Sequence, residues 1–347
     1  MRESDVHLAI EAQSRVQAES GGAAHVLIGP GDDCAVIAPH AGELLLTVDH
    51  LIEGRHYLGP WYGPVMADAA YKAIARSISD LAAMAGTPSW ALVTAAFPPR
   101  TSPQHAAALS AAIFAAAKQL KCPVVGGDVA VLDVVAGEGG GVTEGASAAD
   151  DAARRVPLVL TCTVGGHAHP ERGPVLRSGA RSGDVVFVTG ALGGSLASGR
   201  HLRPPVRVAA ARALADFLGT ALTAMIDISD GLGRDGARLA RASSAHAPVR
   251  MVIDPTRLPL HPDAGPWQQA IADGEDYELL FCVDAGAADK LPGTIAGTAI
   301  ARIGLMQPSS VAENMRDGFC HAALQASLPG GPLLRLDEAG FDHATDA

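Results

Sequence analysis

The spacing of apolar residues switches between a helical period and a strand-like period, and both kinds of segment occur in each half of the chain. Apolar residues at helical spacing predict long helices over 66–85 and 102–120, the first ended by Gly86 with Pro88 just beyond. A shorter helix is predicted over 204–218, and another after Asp230. Apolar runs that predict strands lie at 35–37, 44–49, 90–97, 123–125, 157–164, 185–189, 250–253 and 277–283. Because the helices and strands mix without strict alternation, the pattern predicts an α+β fold.

The length of the chain favours two domains. Its 347 residues exceed the usual size of a single hydrophobic core. Gly- and Arg-rich residues before the strand at 185–189 favour a boundary there, so we predict domains over 1–172 and 173–347. Residues 137–155 consist largely of Gly, Ala, Ser, Asp and Glu, which predicts a flexible surface insertion.

Charge and cysteine content exclude several classes of protein. Acidic residues outnumber basic ones by 37 to 26, and a net charge of -11 disfavours nucleic acid as the main partner. The most apolar stretch, 106–117, is too short to cross a bilayer, and the first residues lack a signal-peptide pattern. The five cysteines are odd in number and far apart, which argues against a disulfide framework or a zinc site. We therefore predict a cytoplasmic protein with no membrane partner.

Six aspartates stand out, and all but Asp80 lie beside turns or at the ends of predicted elements. Each alone has a structural explanation, since Asp favours turns and helix caps; Asp230, for example, is well placed to cap the helix after it. Asp80 is the hardest to explain in that way, because it lies within a helix and precedes the apolar run 81–84, so it reads as a buried carboxylate in need of a partner. Carboxylates are the ligands that Mg²⁺ prefers, and bound Mg²⁺ would let an acidic protein hold an anionic substrate. The six are Asp33, Asp49, Asp80, Asp128, Asp227 and Asp230.

Nine short segments, which follow one another along nearly the whole chain, carry the most specific signal. They are Gly31-Asp-Asp-Cys-Ala-Val36, Thr47-Val-Asp49 with Glu53-Gly-Arg-His-Tyr57, Ala70-Tyr-Lys-Ala-Ile74 with Ser79-Asp-Leu-Ala-Ala-Met84, Gly126-Gly-Asp128, Arg177-Ser-Gly-Ala180, Thr189-Gly190, Asp227-Ile-Ser-Asp-Gly-Leu232, Gly274-Glu-Asp-Tyr-Glu-Leu279 and Gly340-Phe-Asp-His343. Any one of them is a weak signal, whereas the ordered set resembles the thiamine-monophosphate kinase family, within the superfamily of aminoimidazole-ribonucleotide synthetase. No Walker A, Rossmann or protein-kinase motif competes with this reading.

The resemblance implies a fold and a reaction. The fold is a two-domain α+β architecture: the N-terminal half pairs with that of a second subunit in a dimeric β-barrel, and the C-terminal half is a sheet covered by helices. The reaction moves the γ-phosphoryl group of ATP onto thiamine monophosphate with several Mg²⁺ ions. A homodimer, ATP and thiamine monophosphate are the implied partners, in thiamine diphosphate biosynthesis.

The resemblance also implies roles for individual residues. The six aspartates with Thr47 match metal-binding positions, and Asp80 and Arg177 are the expected catalytic residues. The matches to ATP-binding positions are Gly127, Asp128, Arg177 and Ser229, and those to substrate-binding positions are His56, Glu275 and Phe341. Against this, His56 also reads as a surface residue or a satisfied core histidine, Glu275 as a solvated strand entry, and Phe341 as an apolar anchor near the terminus.

Three departures from the family pattern bear on the site. Val48 stands where the family has Thr, Ser77 where it has Asn, and Val129 follows Gly-Gly-Asp where Thr is usual. Direct in-line transfer is the expected mechanism, because a phosphate oxygen of the acceptor is already anionic and needs no strong general base. Two alternatives stay open: a related enzyme acting on another phosphorylated acceptor, and a nucleotide-binding regulator without turnover.

Overall fold

The computed structural model describes Gln13 and residues 26–28, 36–38, 40–132, 156–245, 247–309, 324–327 and 333–335. The predicted insertion at 137–155 and the candidate site residues Asp33 and Phe341 lie outside these ranges.

The chain forms two compact units, and each is assembled from separate stretches of sequence. The first unit comprises 1–40, 46–77 and 88–165, and the second comprises 41–45, 78–87 and 166–347. The predicted division between residues 172 and 173 stays a prediction.

The first unit is built on a four-stranded sheet. The elements up to residue 167 are β1 (Val26–Ile28), β2 (Val36–Ile37), β3 (Leu44–Ile52), α1 (Met66–Ala83), β4 (Thr87–Phe97), α2 (Pro103–Gln119), β5 (Val124–Val131) and β6 (Val159–His167). The order of strands in the sheet is β3-β6-β4-β5, and a separate antiparallel pair joins β1 to β2. Strands β4 and β5 are parallel neighbours connected through helix α2. This helix begins where the Ser102 hydroxyl accepts a hydrogen bond from the backbone N–H of His105 (3.2 Å).

The Gly-Gly-Asp segment lies inside β5, which corrects the prediction that this strand ends before it. Parallel pairing with β4 continues to Val131, and it sets Gly127 opposite Val93 and Asp128 opposite Thr94. A Cβ atom on Gly127 would lie 1.9 Å from the Val93 carbonyl oxygen, so the close approach of the two strands requires glycine there.

The end of α1 also differs from the prediction that Gly86 would terminate it. The helix ends at Ala83, and Ala85 takes the left-handed conformation (φ 56°) that glycine usually supplies. The backbone N–H of Gly86 then donates to the carbonyl of Leu81 (2.8 Å). Gly86 is required for packing, because a Cβ atom there would lie 2.5 Å from Cδ1 of Leu45.

The second unit is built on an eight-stranded sheet. Its elements are β7 (Val185–Thr189), α3 (Val208–Leu218), β8 (Leu222–Ile228), α4 (Leu232–Ser243), β9 (Val249–Ile253), α5 (Trp267–Ala270), β10 (Glu278–Val283), α6 (Ala285–Ala288), β11 (Thr294–Ile295), β12 (Thr298–Pro308), β13 (Leu324–Ser327) and β14 (Leu333–Arg335). The order of strands is β14-β13-β9-β12-β7-β10-β8, and β11 pairs with β12. Antiparallel pairing of β8 with β10 sets Asp227 opposite Leu279. Strands β8 and β12 were not among the strands predicted from the apolar pattern.

Two apolar clusters form the core of this second unit. One cluster includes Leu232 and Leu239 of α4 with Val188 and Ile226 of the sheet. The other includes Leu214 and Leu218 of α3 with Phe187 and Phe281, whose rings stack at 5.5 Å. Every residue of β10 is buried, which identifies it as a central strand covered on both faces. The predicted mixture of strands and helices is confirmed.

No described helix combines the length and the apolar character needed to cross a bilayer.

Candidate functional site

One of the predicted acidic residues, Asp227 near the end of β8, contacts helix α1 next to another, Asp80. Asp227 is buried, and its Oδ2 accepts a hydrogen bond from the Ser79 hydroxyl of α1 (2.7 Å). Asp80 follows Ser79 in the helix. It is partly exposed, although Leu81, Ala82 and Ala83 after it are buried, so the expectation of a buried Asp80 was wrong. A single position on an amphipathic helix faces out even when its sequence neighbours face in. Asp80 is therefore accessible to a ligand, one residue after the serine that contacts Asp227.

The turn after β8 is organised by a carboxylate that the sequence reading missed. Oδ2 of Asp235 accepts hydrogen bonds from the backbone N–H groups of Ser229 (3.0 Å) and Asp230 (2.9 Å). Arg238 donates to both Asp235 and Asp230. Burial, reinforced by the charge of Asp230, raises the pKa of Asp235 to about 6, while Arg238 lowers it. Asp230 was weighed as the cap of α4, but the N-cap is Gly231 and no side chain caps it.

The segment 274–279 carries three carboxylates in three different settings. Glu275 is partly exposed, and its backbone N–H donates to the Ser229 carbonyl (2.7 Å). Glu278 is buried and receives two hydrogen bonds from Arg207 (2.7 and 2.6 Å) and one from Thr189 (2.7 Å). Glu278 is thus satisfied internally, while Glu275 is the carboxylate of the segment placed next to the Ser229 turn.

Asp276, the third carboxylate of this segment, has no solvent exposure, and it accepts hydrogen bonds from several donors on described residues. They are the Gly193 N–H (3.0 Å), the Ser195 hydroxyl (2.7 Å) and Nη2 of Arg200 (2.6 Å). Burial raises the pKa of Asp276 to about 7, while these hydrogen bonds and the charge of Arg200 act in the opposite direction. The sequence offered no local signal for Arg200 or Arg207, because their partners lie 76 and 71 residues away.

In the first unit, Asp49 and Thr47 occupy alternate positions of β3 and so share one face of the strand. The Asp49 side chain is 25% exposed. Its Oδ2 accepts from the Ser77 hydroxyl (2.8 Å), and Nη2 of Arg76 lies 3.8 Å from its Oδ1. Ser77, which departs from the family pattern, therefore orients the Asp49 carboxylate.

The remaining candidates within the described ranges are exposed, with the exception of His56. Asp128 and Gly127 are exposed on β5, and Arg177 is exposed in the loop before β7. His56 is buried: its Nδ1 accepts from the Ile52 N–H (2.8 Å), and its carbonyl oxygen accepts from Nζ of the buried Lys72 (2.6 Å). Because Nδ1 is an acceptor, the neutral ring carries its proton on Nε2.

The acidic candidates do not converge into a preformed cage. Within the ranges that the structure describes, no group of three or more His, Cys, Asp or Glu residues is close enough to hold a metal ion. They fall into two sets, with Thr47, Asp49 and Asp128 in the first unit and Asp80, Asp227 and Asp230 in the second.

Comparison with known proteins supplies a family context for these residues. The profile of the AIR synthase related protein, N-terminal domain, matches residues 31–148. A thiamine-monophosphate kinase of Rhodopirellula baltica is 34% identical over 293 residues, covering 80% of this chain and 83% of the relative. The Escherichia coli K12 thiamine-monophosphate kinase is 31% identical over 345 residues, covering 92% of each chain. A solved structure of AaThiL complexed with AMPPCP and TMP has a TM-score of 0.62 at 26% identity, covering 86% of this chain and 90% of that one.

Proposed function

The chain belongs to the thiamine-monophosphate kinase family, and we propose that it transfers the γ-phosphoryl group of ATP to thiamine monophosphate, giving thiamine diphosphate. The observation that carries the proposal is the 34% identity to a thiamine-monophosphate kinase over 83% of that relative's length. The solved complex of AaThiL with AMPPCP and TMP supports it, because that related protein binds an ATP analogue and TMP.

The donor set of the chain suits Mg²⁺. Carboxylate and hydroxyl oxygens are its preferred ligands, and Asp80, Asp128 and Asp49 keep part of their surface accessible. When bound, Mg²⁺ would neutralise the negative charge of the phosphate groups. A protein of net charge -11 has a shortage of cationic groups for that purpose. The residues that would hold the ions are Asp33, Thr47, Asp49, Asp80, Asp128, Asp227 and Asp230.

The nucleotide would be held by backbone and cation together. Gly127 has no side chain to obstruct a phosphate oxygen, and Asp128 follows it on the same exposed edge of β5. The exposed Arg177 guanidinium makes no hydrogen bond or ion pair within the described ranges, so its donors are available to an anion. Ser229 is fixed through its backbone by Asp235 and Glu275, which places its hydroxyl reproducibly.

On the acceptor side, Glu275, His56 and Phe341 would bind thiamine monophosphate. The Nε2–H of His56 is a hydrogen-bond donor of fixed tautomer, since Nδ1 is already an acceptor. The attacking atom is an anionic phosphate oxygen of the substrate, so the protein has no proton to remove. Its contribution is to orient the two phosphate groups in line and, through Arg177, to stabilise the charge on the transferring group.

We also propose that the protein is a homodimer in which the four-stranded sheets of two copies pair into a barrel. Leu44, Leu46 and Val48 lie on one face of the edge strand β3 and are 54%, 61% and 59% exposed. Consecutive large apolar side chains on one strand face are unusual on a surface that meets only water.

The test of the dimer is the mass in solution. Val48→Glu is expected to yield monomers by light scattering, because the added charge would be buried between copies. Phe217→Glu, at a 52% exposed position on α3, should leave the wild-type mass unchanged. A wild-type monomer at micromolar concentration would contradict the proposal.

The test of the activity is the formation of thiamine diphosphate from ATP and thiamine monophosphate, followed by mass spectrometry with and without EDTA. We expect stoichiometric ADP and thiamine diphosphate, no product with EDTA, and no phosphorylation of unphosphorylated thiamine, which lacks the nucleophile. Titration of thiamine monophosphate into protein with Mg²⁺ and AMPPCP separates the alternatives. Nucleotide binding without thiamine monophosphate binding would indicate another phosphorylated acceptor, and binding of both without turnover would indicate a regulator.

A further inference from the structure

The backbone on either side of Asp276 has a conformation that side chains disfavour. Glu275 (φ 66°) and Tyr277 (φ 51°) both lie in the left-handed region, which residues other than glycine rarely occupy. Two such residues in a three-residue segment persist only when the surroundings hold them. Glu275 is also the residue proposed above to bind the acceptor, so whatever holds this backbone sets the position of that carboxylate.

The carboxylate of Asp276 is the first part of the restraint. It accepts from the Gly193 N–H with both oxygens (3.0 and 3.1 Å) and from the Ser195 hydroxyl (2.7 Å). These contacts fasten the segment to the loop that follows β7. The same loop packs closely on α5, because a Cβ atom on Gly193 would lie 2.7 Å from Cβ of Ala270.

Arg200 is the second part. Its Nη2 donates to Asp276 Oδ1 (2.6 Å), and it also contacts the Gly193 carbonyl (3.2 Å) and the Ser195 hydroxyl (3.1 Å). Its Nη1 donates to the carbonyl of Ala191 (2.8 Å). One planar guanidinium thus ties the loop 191–195 to Asp276, a role that the point charge of lysine does not reproduce.

The flanking amides carry the restraint to the acidic turn. The Glu275 N–H donates to the Ser229 carbonyl (2.7 Å), and the Tyr277 N–H donates to the Ile228 carbonyl (2.8 Å). The segment is therefore anchored on the loop 191–195 through its central side chain and on the residues after Asp227 through its two neighbouring amides.

We propose that Arg200 and Asp276 are positioning residues for the proposed kinase reaction: the ion pair of the partly exposed Arg200 with the buried Asp276 holds the backbone of Glu275 and so sets where its carboxylate meets the acceptor. The inference rests on the proposed function for its catalytic consequence and on the contacts above for its structural part. It also assigns different roles to the two arginine–carboxylate pairs, since Arg207, at the start of α3, holds Glu278 of β10 and, among the described residues, makes no hydrogen bond to the Glu275 backbone.

The matched variants are Arg200→Lys and Arg207→Lys. Each keeps the positive charge but loses the planar guanidinium group and its several N–H donors. At pH 8, Arg200→Lys is expected to raise the KM for thiamine monophosphate about tenfold, with the KM for ATP changed less than about twofold. Arg207→Lys is expected to lower the unfolding temperature without changing either KM. Ser195→Ala, which removes one donor to Asp276, should act like Arg200→Lys with a smaller effect, and it serves if the arginine variant does not fold.

Hydrogen exchange of the full-length protein gives a readout that does not depend on turnover. Amides of residues 273–278 and 191–195 should exchange faster in Arg200→Lys than in wild type, and should be unchanged in Arg207→Lys. Equal effects of the two lysine variants, or unchanged exchange in Arg200→Lys, would overturn the inference. If wild type makes no thiamine diphosphate, the proposed function fails, while the exchange data still decide whether Arg200 locks this segment.

Discussion

The two units hold their candidate acidic residues in opposite ways. In the first unit, Asp49 and Asp128 stand on strands and keep exposed surface, and the Ser77 hydroxyl orients Asp49. In the second unit, Asp227 is buried on β8 against the Ser79 hydroxyl, and the turn at Asp230 is held by Asp235. The difference teaches that an exposed carboxylate can rely on water, whereas a buried carboxylate or an irregular turn needs donors and acceptors from the protein.

The largest expected effect tests the accessible acid of the second unit. Asp80→Ala should lower kcat by about 10³-fold or more while the protein stays folded, because the proposed reaction uses this partly exposed carboxylate as a metal ligand. The control is Asp68→Ala in the first turn of the same helix, outside the proposed metal set. Turnover near that of wild type in a folded Asp80→Ala protein would contradict its assignment.

The next effect tests whether the close spacing of β4 and β5 requires glycine beside Asp128 of the first unit. Gly127→Ala forces a Cβ atom to 1.9 Å from the Val93 carbonyl oxygen, so we expect a loss of about 3 kcal/mol or more in the free energy of unfolding. Gly126→Ala is the control, since its Cβ atom would meet only the mobile Cδ2 of Leu92 at 3.1 Å. Equal urea midpoints for the two variants would show that the strand spacing is not what requires Gly127.

A smaller effect compares the two units directly through serines two residues apart on α1. Ser79→Ala removes the hydroxyl partner of the buried Asp227 and should cost about 1–3 kcal/mol. Ser77→Ala removes the partner of Asp49, which is 25% exposed and can turn to water, so less than about 1 kcal/mol is expected. Urea denaturation measures both. A larger loss for Ser77→Ala would reverse the comparison.

The smallest expected effect is that three buried cysteines do not react with a thiol reagent in the native protein. Burial raises the pKa of the Cys162 thiol to about 12 and also raises the pKa values of Cys122 and Cys282, so almost no thiolate forms at pH 8. Iodoacetamide should label these three cysteines only after unfolding, as peptide mass spectrometry would report. Labelling of Cys162 in the native protein would show that this part of the first unit opens readily.

Periodic segments were predictable because their pattern is local. The long helix at 102–120 and the strands at 185–189 and 250–253 agree with α2, β7 and β9 to within a residue at each end. Strand β8 was missed because its last residues also read as an acidic turn. The helix end near Gly86 was misassigned because glycine serves packing there, and packing leaves no trace in local sequence.

The candidate site was predictable as a set of residues, not as an arrangement. Asp49, Asp80, Asp128 and Asp227 are visible in the sequence, but the exposure of Asp80 and the burial of His56 are not. The residues that fix the site were invisible for a simple reason. Ser79 reaches Asp227 across 148 residues, and Arg200 reaches Asp276 across 76.

By itself, the sequence determined the mixed α/β character, the family and the acidic chemistry of this protein, because hydrophobic period and ordered motifs are properties of neighbouring residues. Only the tertiary structure decided which carboxylates are buried and paired with arginine and which remain accessible. That division depends on the desolvation of a charge, and desolvation is set by distant parts of the chain closing around the group.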